Sequence, residues 1–380
     1  MKHFFFTRRV ASVCTLALAL AAGLCACSSG PERAKPAELG PNPGLLAVRQ
    51  AWTASIGAVQ FALDVRAVGN SIFVANSDGV VAEIDARTGG DVWRLSLGTR
   101  LSAGVGSDGR YAAVVSRTNE LIALDAGREI WRQKLGAMTL TSPLVAGGRV
   151  FVLSADRSVA AFDAANGRKL WQQQRTGEAL VLGQAGVIMA VGDTLVTGLG
   201  GHLVGMNPNN GTARWDALLA SSRGTNDVER LVDLVSGVSR VGDQVCVRAF
   251  QSSVGCVDAA KGGVLWTKTA YGATGVGGDS STVFGTESDG KVAAWRRTDG
   301  ERLWTSERLR FRSLSAPLLV GRALVLGDDS GNVHFLSRDD GALLQRVSTD
   351  GSPLAAAPIL VGPTVVLVTQ RGAILGVRPQ

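Results

Sequence analysis

Short apolar runs separated by turn residues recur along most of the chain. Arg149–Leu153 is a β-branched, apolar run, and Ser158–Asp163 alternates between larger and smaller side chains. Asn166-Gly167 then forms a dipeptide typical of a tight turn with positive φ, and Lys169–Gln172 follows it. With Ser142–Val145 before them, these runs predict four antiparallel strands, named A to D in chain order, in about 40 residues.

The end of this unit repeats along the chain as Asp-x-x-x-Gly-x-x-x-Trp, complete at Asp85–Trp93, Asp163–Trp171 and Asp258–Trp266. The marker positions are Trp52, Trp93, Trp131, Trp171, Trp215, Trp266 and Trp304, followed by Gln345. Their spacings are 41, 38, 40, 44, 51, 38 and 41 residues. Repeated four-stranded units of this period are typical of a β-propeller.

The two ends of the repeat region complement each other. After Gln345, residues 353–377 supply strands A, B and C, whereas the run around Trp52 reads as a strand D alone. A ring that closes on itself leaves no unit incomplete and covers strand edges that an open array exposes. We therefore predict an all-β, eight-bladed propeller over residues 48–380, with the N-terminal strand completing the last blade.

The first residues have the pattern of a targeting segment. Basic residues at Lys2, Arg8 and Arg9 precede an apolar run over 10–24, and Leu24-Cys25-Ala26-Cys27 follows. This run is short for a membrane span. The tetrapeptide resembles a bacterial lipobox, which implies a lipoprotein signal peptide over 1–26 and lipidation of Cys27, with no role for Cys14 or Cys25. An ordinary secretory signal cut nearby is the alternative.

The residues after the lipobox predict an anchor and a spacer. Ser28 follows the lipidated cysteine, where an aspartate would favour retention in the inner membrane, so the resemblance implies the outer membrane. Residues 27–47 are rich in proline and glycine and predict a flexible tether. Removing residues 1–26 lowers the net charge from +7 to +4, which weakens any case for nucleic-acid binding.

The remaining composition gives little support for catalysis. Hydrophobic residues make up 46% of the chain, enough for a packed core, and 48 glycines suit many tight turns. Only three histidines occur, and His202 and His334 stand alone near turns or strands. Asp85, Asp125, Asp163 and Asp258 recur once per unit and are interpreted as turn caps. We expect no catalytic residues, no metal, no cofactor and no enzymatic activity.

Insertions predict the binding face. In an antiparallel blade, the D-to-A connections and the B–C turns lie on one face, here named the connection face. The two longest spacings, 51 and 44, place their extra residues in consecutive D-to-A connections, around 175–184 and 218–237. Insertions clustered on one face of a repeat protein usually mark its binding face. The alternative is that the leucines of these connections pack on the propeller rim.

The repeat resembles that of quinoprotein dehydrogenase propellers, in which the tryptophans dock neighbouring blades. We interpret the tryptophans here as structural, and cofactor chemistry as the less favoured alternative. The chain lacks the adjacent cysteine pair of those enzymes. The lipobox, the segment Pro36–Pro43 and eight such blades together resemble the BamB family, the lipoproteins of the outer-membrane β-barrel assembly (BAM) complex.

That resemblance implies a periplasmic scaffold, lipid-anchored in the outer membrane. Its implied partners are the POTRA modules of BamA, other BAM subunits and nascent outer-membrane proteins. The family's contact loops read Leu-x-Leu-Arg and Arg-Leu-x-Asp-x-Asp, and the matching residues here are Leu180, Leu182, Arg230 and Asp233. Gly183 and Val235 depart from the pattern and put the charge pairing in doubt. A quinone-dependent dehydrogenase and a generic peptide-binding scaffold are the alternative functions.

Two cysteines remain within the propeller. Alignment with the third unit places Cys246 on strand B and Cys256 on strand C of the fifth, equidistant from the hairpin tip near Gln251. Opposed residues in antiparallel strands are close enough for a disulfide after modest adjustment. An oxidising compartment favours that bridge, and a reduced, buried pair is the alternative.

Overall fold

The computed structural model describes residues 34–175, 180–221, 226 and 230–379. The compact unit of the chain begins at Ala37. Of the residues before it, 34–36 are described and belong to no strand. Residues 1–26 and Cys27, for which a signal peptide and a lipid are predicted, lie outside the described residues. The described residues include no helix that is long and apolar enough to cross a membrane.

The strands follow one another in groups of four. The first half of the chain contains β1 Val48–Ser55; β2 Arg66–Val68, β3 Ser71–Ala75, β4 Val80–Asp85, β5 Asp91–Ser96; β6 Gly106–Ser107, β7 Tyr111–Val115, β8 Glu120–Asp125, β9 Arg128–Lys134; β10 Leu144–Ala146, β11 Arg149–Leu153, β12 Ser158–Asp163, β13 Lys169–Gln174; β14 Ile188–Val191, β15 Thr194–Leu199, β16 His202–Met206, β17 Ala213–Leu218.

The second half contains β18 Leu234–Val241, β19 Gln244–Ala249, β20 Ser253–Asp258, β21 Gly263–Thr269; β22 Val276–Gly278, β23 Thr282–Thr286, β24 Val292–Arg296, β25 Arg302–Ser306; β26 Leu318–Val320, β27 Ala323–Gly327, β28 Asn332–Ser337, β29 Leu343–Ser348; β30 Ile359–Val361, β31 Thr364–Val368, β32 Ala373–Pro379.

These strands form eight four-stranded antiparallel sheets. Seven sheets use consecutive strands, from blade 1 (β2–β5) to blade 7 (β26–β29). Blade 8 has the order β1-β32-β31-β30, in which Trp52 on β1 pairs with Gly376 on β32. The predicted eight-bladed propeller, closed by the N-terminal strand, is therefore confirmed.

The core lies between blades, on both faces of their middle strands. On β7, Ala112 to Val115 are all buried, whereas the outer strand β5 alternates between exposed and half-buried positions. Each middle strand packs against a neighbouring blade on either side, so both of its faces leave water. This burial explains why strands B and C carry nearly continuous apolar runs.

The Asp-x-x-x-Gly segments form the C–D turns. Asp163 Oδ1 accepts hydrogen bonds from the backbone N–H groups of Ala165 and Asn166, and Asp258 does the same for Ala260. Gly167 has φ 73°, a left-handed conformation that glycine adopts without steric cost. Asp125 differs, since its carboxylate pairs with Arg110 at 3.0 Å.

Each marker tryptophan contacts the C–D turn of the next blade. A Cβ atom added to Gly167 would lie 2.7 Å from the Trp131 ring, and Trp131 Nε1 donates to Ala164 O at 2.8 Å. Corresponding ring contacts join Trp52 to Gly89, Trp93 to Gly127, Trp171 to Gly211, Trp215 to Gly262, Trp266 to Gly300 and Trp304 to Gly341. The tryptophans therefore join neighbouring blades.

Gln345 replaces tryptophan where blade 7 meets blade 8. Blade 8 takes its strands C and D from opposite ends of the chain, so no C–D turn with a glycine exists there. Gln345 Nε2 instead donates to Leu46 O at 3.0 Å, just before β1. The second half of the segment predicted to be a flexible tether is thus held on the propeller, and Leu45 N also donates to Leu344 O at 2.9 Å.

Cys246 and Cys256 lie directly opposite each other on β19 and β20, in the register expected from the sequence. Both side chains are fully buried, and the structure joins their sulfur atoms as a disulfide. Oxidation of the pair in the protein stays a prediction.

The Trp–Gly contact is testable with two glycines of blade 3. Gly167→Ala and Gly148→Ala both place a Cβ on left-handed backbone (φ 73° and 71°), but only Gly167 faces an indole ring, whereas Gly148 has no atom within 4 Å. We expect Gly167→Ala to lower the free energy of unfolding by about 1–3 kcal/mol more than Gly148→Ala does, because it overpacks the blade interface. Urea denaturation followed by circular dichroism measures both; equal losses would contradict the packing role.

The disulfide is testable on protein exported to an oxidising compartment. Non-reducing mass spectrometry of a tryptic digest should show the peptides of Cys246 and Cys256 joined. The bridge closes a loop of 10 residues, so reduction should lower the free energy of unfolding by at most about 3 kcal/mol. A Cys246→Ala/Cys256→Ala variant should not respond to reductant. Free thiols at both positions in the exported wild type would exclude the bridge.

Candidate functional site

The two longest D-to-A connections meet on the connection face. The first lies between β13 and β14 and the second between β17 and β18, and the structure describes 175 and 180–187 of the first and 219–221, 226 and 230–233 of the second. Gly186 forms an isolated β-bridge with Val235, and Ser236 N donates to Ala185 O at 2.9 Å. The insertions that the repeat spacing singled out are therefore neighbours in space.

Asp233 and Arg157 hold these connections together. Asp233 Oδ1 lies 3.0 Å from Arg157 Nη1, and Asp233 Oδ2 accepts a hydrogen bond from Leu182 N at 2.8 Å. Arg157 Nη2 donates to Leu180 O at 3.3 Å. Only 12% of the Arg157 side chain and 17% of the Asp233 side chain are exposed. Both carboxylate oxygens of Asp233, which is predicted to bind a partner, thus contact residues of the same chain.

The two predicted leucines differ in exposure. Leu180 is 40% exposed, so its side chain is available to a partner. Leu182 is half-buried and lines a small cavity of about 60 Å³ with Leu140, Leu153 and Leu234. Leu180 has the exposure that a partner-binding leucine needs. Leu182 instead packs on the propeller rim, which is the alternative.

The departures from the family pattern have structural consequences. Gly183 is exposed, and an added Cβ would meet no atom within 4 Å. Val235 is buried at the start of β18, where an acidic side chain would be desolvated. Arg230 is half-buried, and its backbone N–H donates to Asn226 O at 3.3 Å. Position 235 therefore offers a partner no charge here, unlike the pattern that the resemblance implies.

Arg157 is the residue that sequence reasoning missed. It lies in the B–C turn of blade 3 at φ 63°, a left-handed position that is glycine in four other blades, at Gly79, Gly290, Gly331 and Gly372, and asparagine in blade 2, at Asn119. A non-glycine residue there costs conformational energy, and such strain is found at functional sites. Alignment of the eight B–C turns would have given that signal.

One carboxylate occurs among the described residues that line a cavity next to the connection before β2. Asp64 belongs to the connection before β2 and lines a cavity of about 250 Å³ with Ser107, Ser142 and Ser236. Burial raises the pKa of Asp64 to about 6, and the nearby hydroxyls of Ser236 and Ser142 offset only part of that effect. Across the described residues, no group of three or more His, Cys, Asp and Glu side chains is placed to hold a metal.

The two histidines have structural partners. His334 is fully buried, and its Nε2 lies 2.9 Å from Asp328 Oδ2. Burial alone would raise the pKa of Asp328, but hydrogen bonds from His334 and from the Asn332 backbone prevail and lower it to about 2. His202 Nδ1 lies 2.6 Å from Asp216 Oδ1 on the neighbouring strand. The other oxygen of that carboxylate, Asp216 Oδ2, pairs with Arg175 at the start of the connection between β13 and β14.

Comparison with known proteins identifies the relatives of this chain. Residues 77–306 match the family described as outer membrane protein assembly factor BamB. The protein of that name from Burkholderia pseudomallei is 39% identical over 93% of this chain and 94% of its own length. The crystal structure of BamB from Moraxella catarrhalis has a TM-score of 0.79 at 21% identity and covers 87% of this chain and 99% of its own.

An enzyme with the same fold is more distant. Quinohemoprotein alcohol dehydrogenase from Comamonas testosteroni has a TM-score of 0.67 at 13% identity, over 90% of this chain and 78% of its own. A likeness at this identity concerns the fold alone.

The role of Arg157 is testable by hydrogen exchange. Arg157→Ala removes the cation that positions the Asp233 carboxylate, and hydrogen bonds to charged groups contribute about 1.5–3 kcal/mol. We expect the Leu182 amide to exchange roughly tenfold faster or more, while strand amides stay protected. Arg117→Ala, an exposed arginine in the B–C turn of blade 2, is the control. If the Leu182 amide exchanges at the same rate in Arg157→Ala as in the wild type, Arg157 does not position the Asp233 carboxylate.

Proposed function

Since the chain belongs to the BamB family of outer membrane protein assembly factors, we propose that it is a non-enzymatic scaffold of the outer-membrane β-barrel assembly machinery. In this role its connection face binds the POTRA modules of BamA. The scaffold aids the folding and insertion of nascent outer-membrane proteins, next to the other subunits of the complex.

The observation that carries this proposal is an exposed leucine on backbone that an ion pair holds in place. Leu180 presents apolar surface on the connection face, while Arg157 binds its carbonyl and Asp233 binds the amide of Leu182. Interfaces gain most of their affinity from a few well-supported anchors, and preorganisation lowers the entropy lost on binding. The site therefore suits recognition of a folded protein module.

The proposed location is the outer membrane, with the propeller facing the periplasm. Lipidation of Cys27 would supply the anchor, because acyl chains bury their CH₂ groups in the bilayer at about 0.8 kcal/mol each. The propeller would thus reach the membrane through lipid alone. The dehydrogenase alternative finds support only in the shared fold.

Binding to a BamA POTRA fragment tests the proposal. Leu180→Asp should weaken binding at least tenfold, because truncating an apolar anchor commonly costs more than about 1–2 kcal/mol. Its melting temperature should stay unchanged, since Leu180 is exposed. Leu182→Asp and Asp233→Lys should weaken binding and also lower the melting temperature, because both residues are partly buried, and Arg230→Glu should weaken binding.

The matched control for that measurement is Met138→Asp. Met138 is 48% exposed on the same face but belongs to the connection between blades 2 and 3, outside the predicted loops. Calorimetry or surface plasmon resonance gives the affinities, and circular dichroism the fold. If Leu180→Asp and Met138→Asp bind alike and as tightly as the wild type, the assignment of the loop is wrong.

A further inference from the structure

Residues 37–46 run antiparallel along the outer edge of blade 7. Leu45 N donates to Leu344 O, and the Asn42 side chain bonds both backbone groups of Arg346, accepting from its N–H at 2.9 Å and donating to its carbonyl at 3.0 Å. Arg346 Nη2 donates to Gly40 O at 3.0 Å. An otherwise unpaired strand edge is thereby covered. We call residues 37–46 the strap.

The outer end of the strap is held by a buried network. Ala37 N donates to Arg310 O at 2.9 Å, and Ala37 O accepts from Arg312 Nη2 at 2.8 Å. Arg312 in turn lies 3.3 Å from Asp328 Oδ2, and the Asp328 side chain is fully buried. Leu39 packs against the core cluster that includes Leu309 and Leu314. The position of Ala37 is therefore set by the core of blade 7.

The direction of the strap determines where the chain leaves the propeller. Strand β29 runs from its C–D turn towards the connection face, and its contacts move from Leu344 to Arg346 as the strap goes back from Leu45 to Asn42. Ala37 then meets Arg310 and Arg312, which belong to the D-to-A connection before blade 7. The chain therefore leaves from the connection face.

We infer that the strap makes the connection face the membrane-side face of the propeller, an inference that rests on the proposed lipidation of Cys27. A free chain from Cys27 to 47 would reach at most about 70 Å, whereas the ten steps from Cys27 to Ala37 reach at most about 35 Å. A domain of this length is roughly 50 Å across. A linker of about 70 Å would let either face of the propeller approach the bilayer. A linker of about 35 Å favours the approach of the face from which the chain leaves.

This orientation brings the anchor and the candidate binding site to the same side. Leu180 and the Arg157–Asp233 pair also lie on the connection face, across the ring from blade 7. The partner recognised there is therefore a module held between the propeller and the phospholipid surface. A partner deeper in the periplasm would meet the opposite face, which carries the A–B and C–D turns.

Docking of the strap is measured first, on the full chain. Asn42→Ala removes both side-chain bonds to Arg346, so the Leu45 amide should exchange at least roughly fivefold faster. Glu38→Ala, at an exposed strap position, is the control and should not change exchange at Leu45. Asn42 is exposed as well, so folding should not suffer. If the Leu45 amide of the wild type exchanges as fast as an unprotected amide, the strap is not docked on blade 7 and the inference is wrong.

Orientation is measured by energy transfer from a dye on the protein to dye-labelled lipid headgroups in phospholipid vesicles. Asp78→Cys and Asn70→Cys place the dye on blade 1, at exposed turns of the connection face and of the opposite face. The lipidated wild-type background should give higher transfer from Asp78→Cys than from Asn70→Cys. Adding Leu39→Asp and Asn42→Ala should remove that difference, and Glu38→Ala should keep it.

The outcomes separate the anchor from the orientation. Wild-type protein should float with the vesicles and take up a clickable fatty acid, and Cys27→Ser should do neither. A wild type that does not float overturns the anchor, and the orientation with it. A wild type that floats but gives equal transfer from both positions, or higher transfer from Asn70→Cys, overturns the orientation alone and leaves lipidation intact.

Discussion

The contact between a tryptophan ring and a glycine of the next blade is the interaction on which this fold depends. The indole covers backbone that has no Cβ, and in five of the described blades its Nε1 also donates to a carbonyl of the same turn. Glycine is required twice over, for its left-handed backbone and for the space above it. One residue pair thus shapes the C–D turn and docks the neighbouring blade.

The closure of the ring interrupts that arrangement at one place. Blade 8 is assembled from both ends of the chain, so the turn that a tryptophan would cover is missing, and Gln345 bonds to Leu46 instead. The N-terminal segment continues along blade 7 and covers its outer edge. The N-terminal segment that closes the propeller therefore also sets the path of the chain towards the predicted anchor.

The connection face carries the features that are not repeated. Most turns of the opposite face follow the repeat, whereas the D-to-A connections vary in length. The two longest bring Leu180 and Asp233 to Arg157 in a B–C turn. A rigid β scaffold that displays variable loops can gain a binding site without changing its core. Arg157 occupies a left-handed backbone position where four other blades have glycine, and its contacts with Asp233 and Leu180 offset the conformational cost.

The number of blades, their closure and the register of Cys246 against Cys256 follow from the amino-acid order alone, because they depend on turn chemistry and apolar alternation repeated about every 40 residues. The same order also locates the two long connections. The folded ring was needed to show that Asp233 pairs with Arg157, 76 residues away, and that Asn42 bonds Arg346, 304 residues away. Such contacts join single residues brought together by ring closure, and a local repeat carries no signal for them.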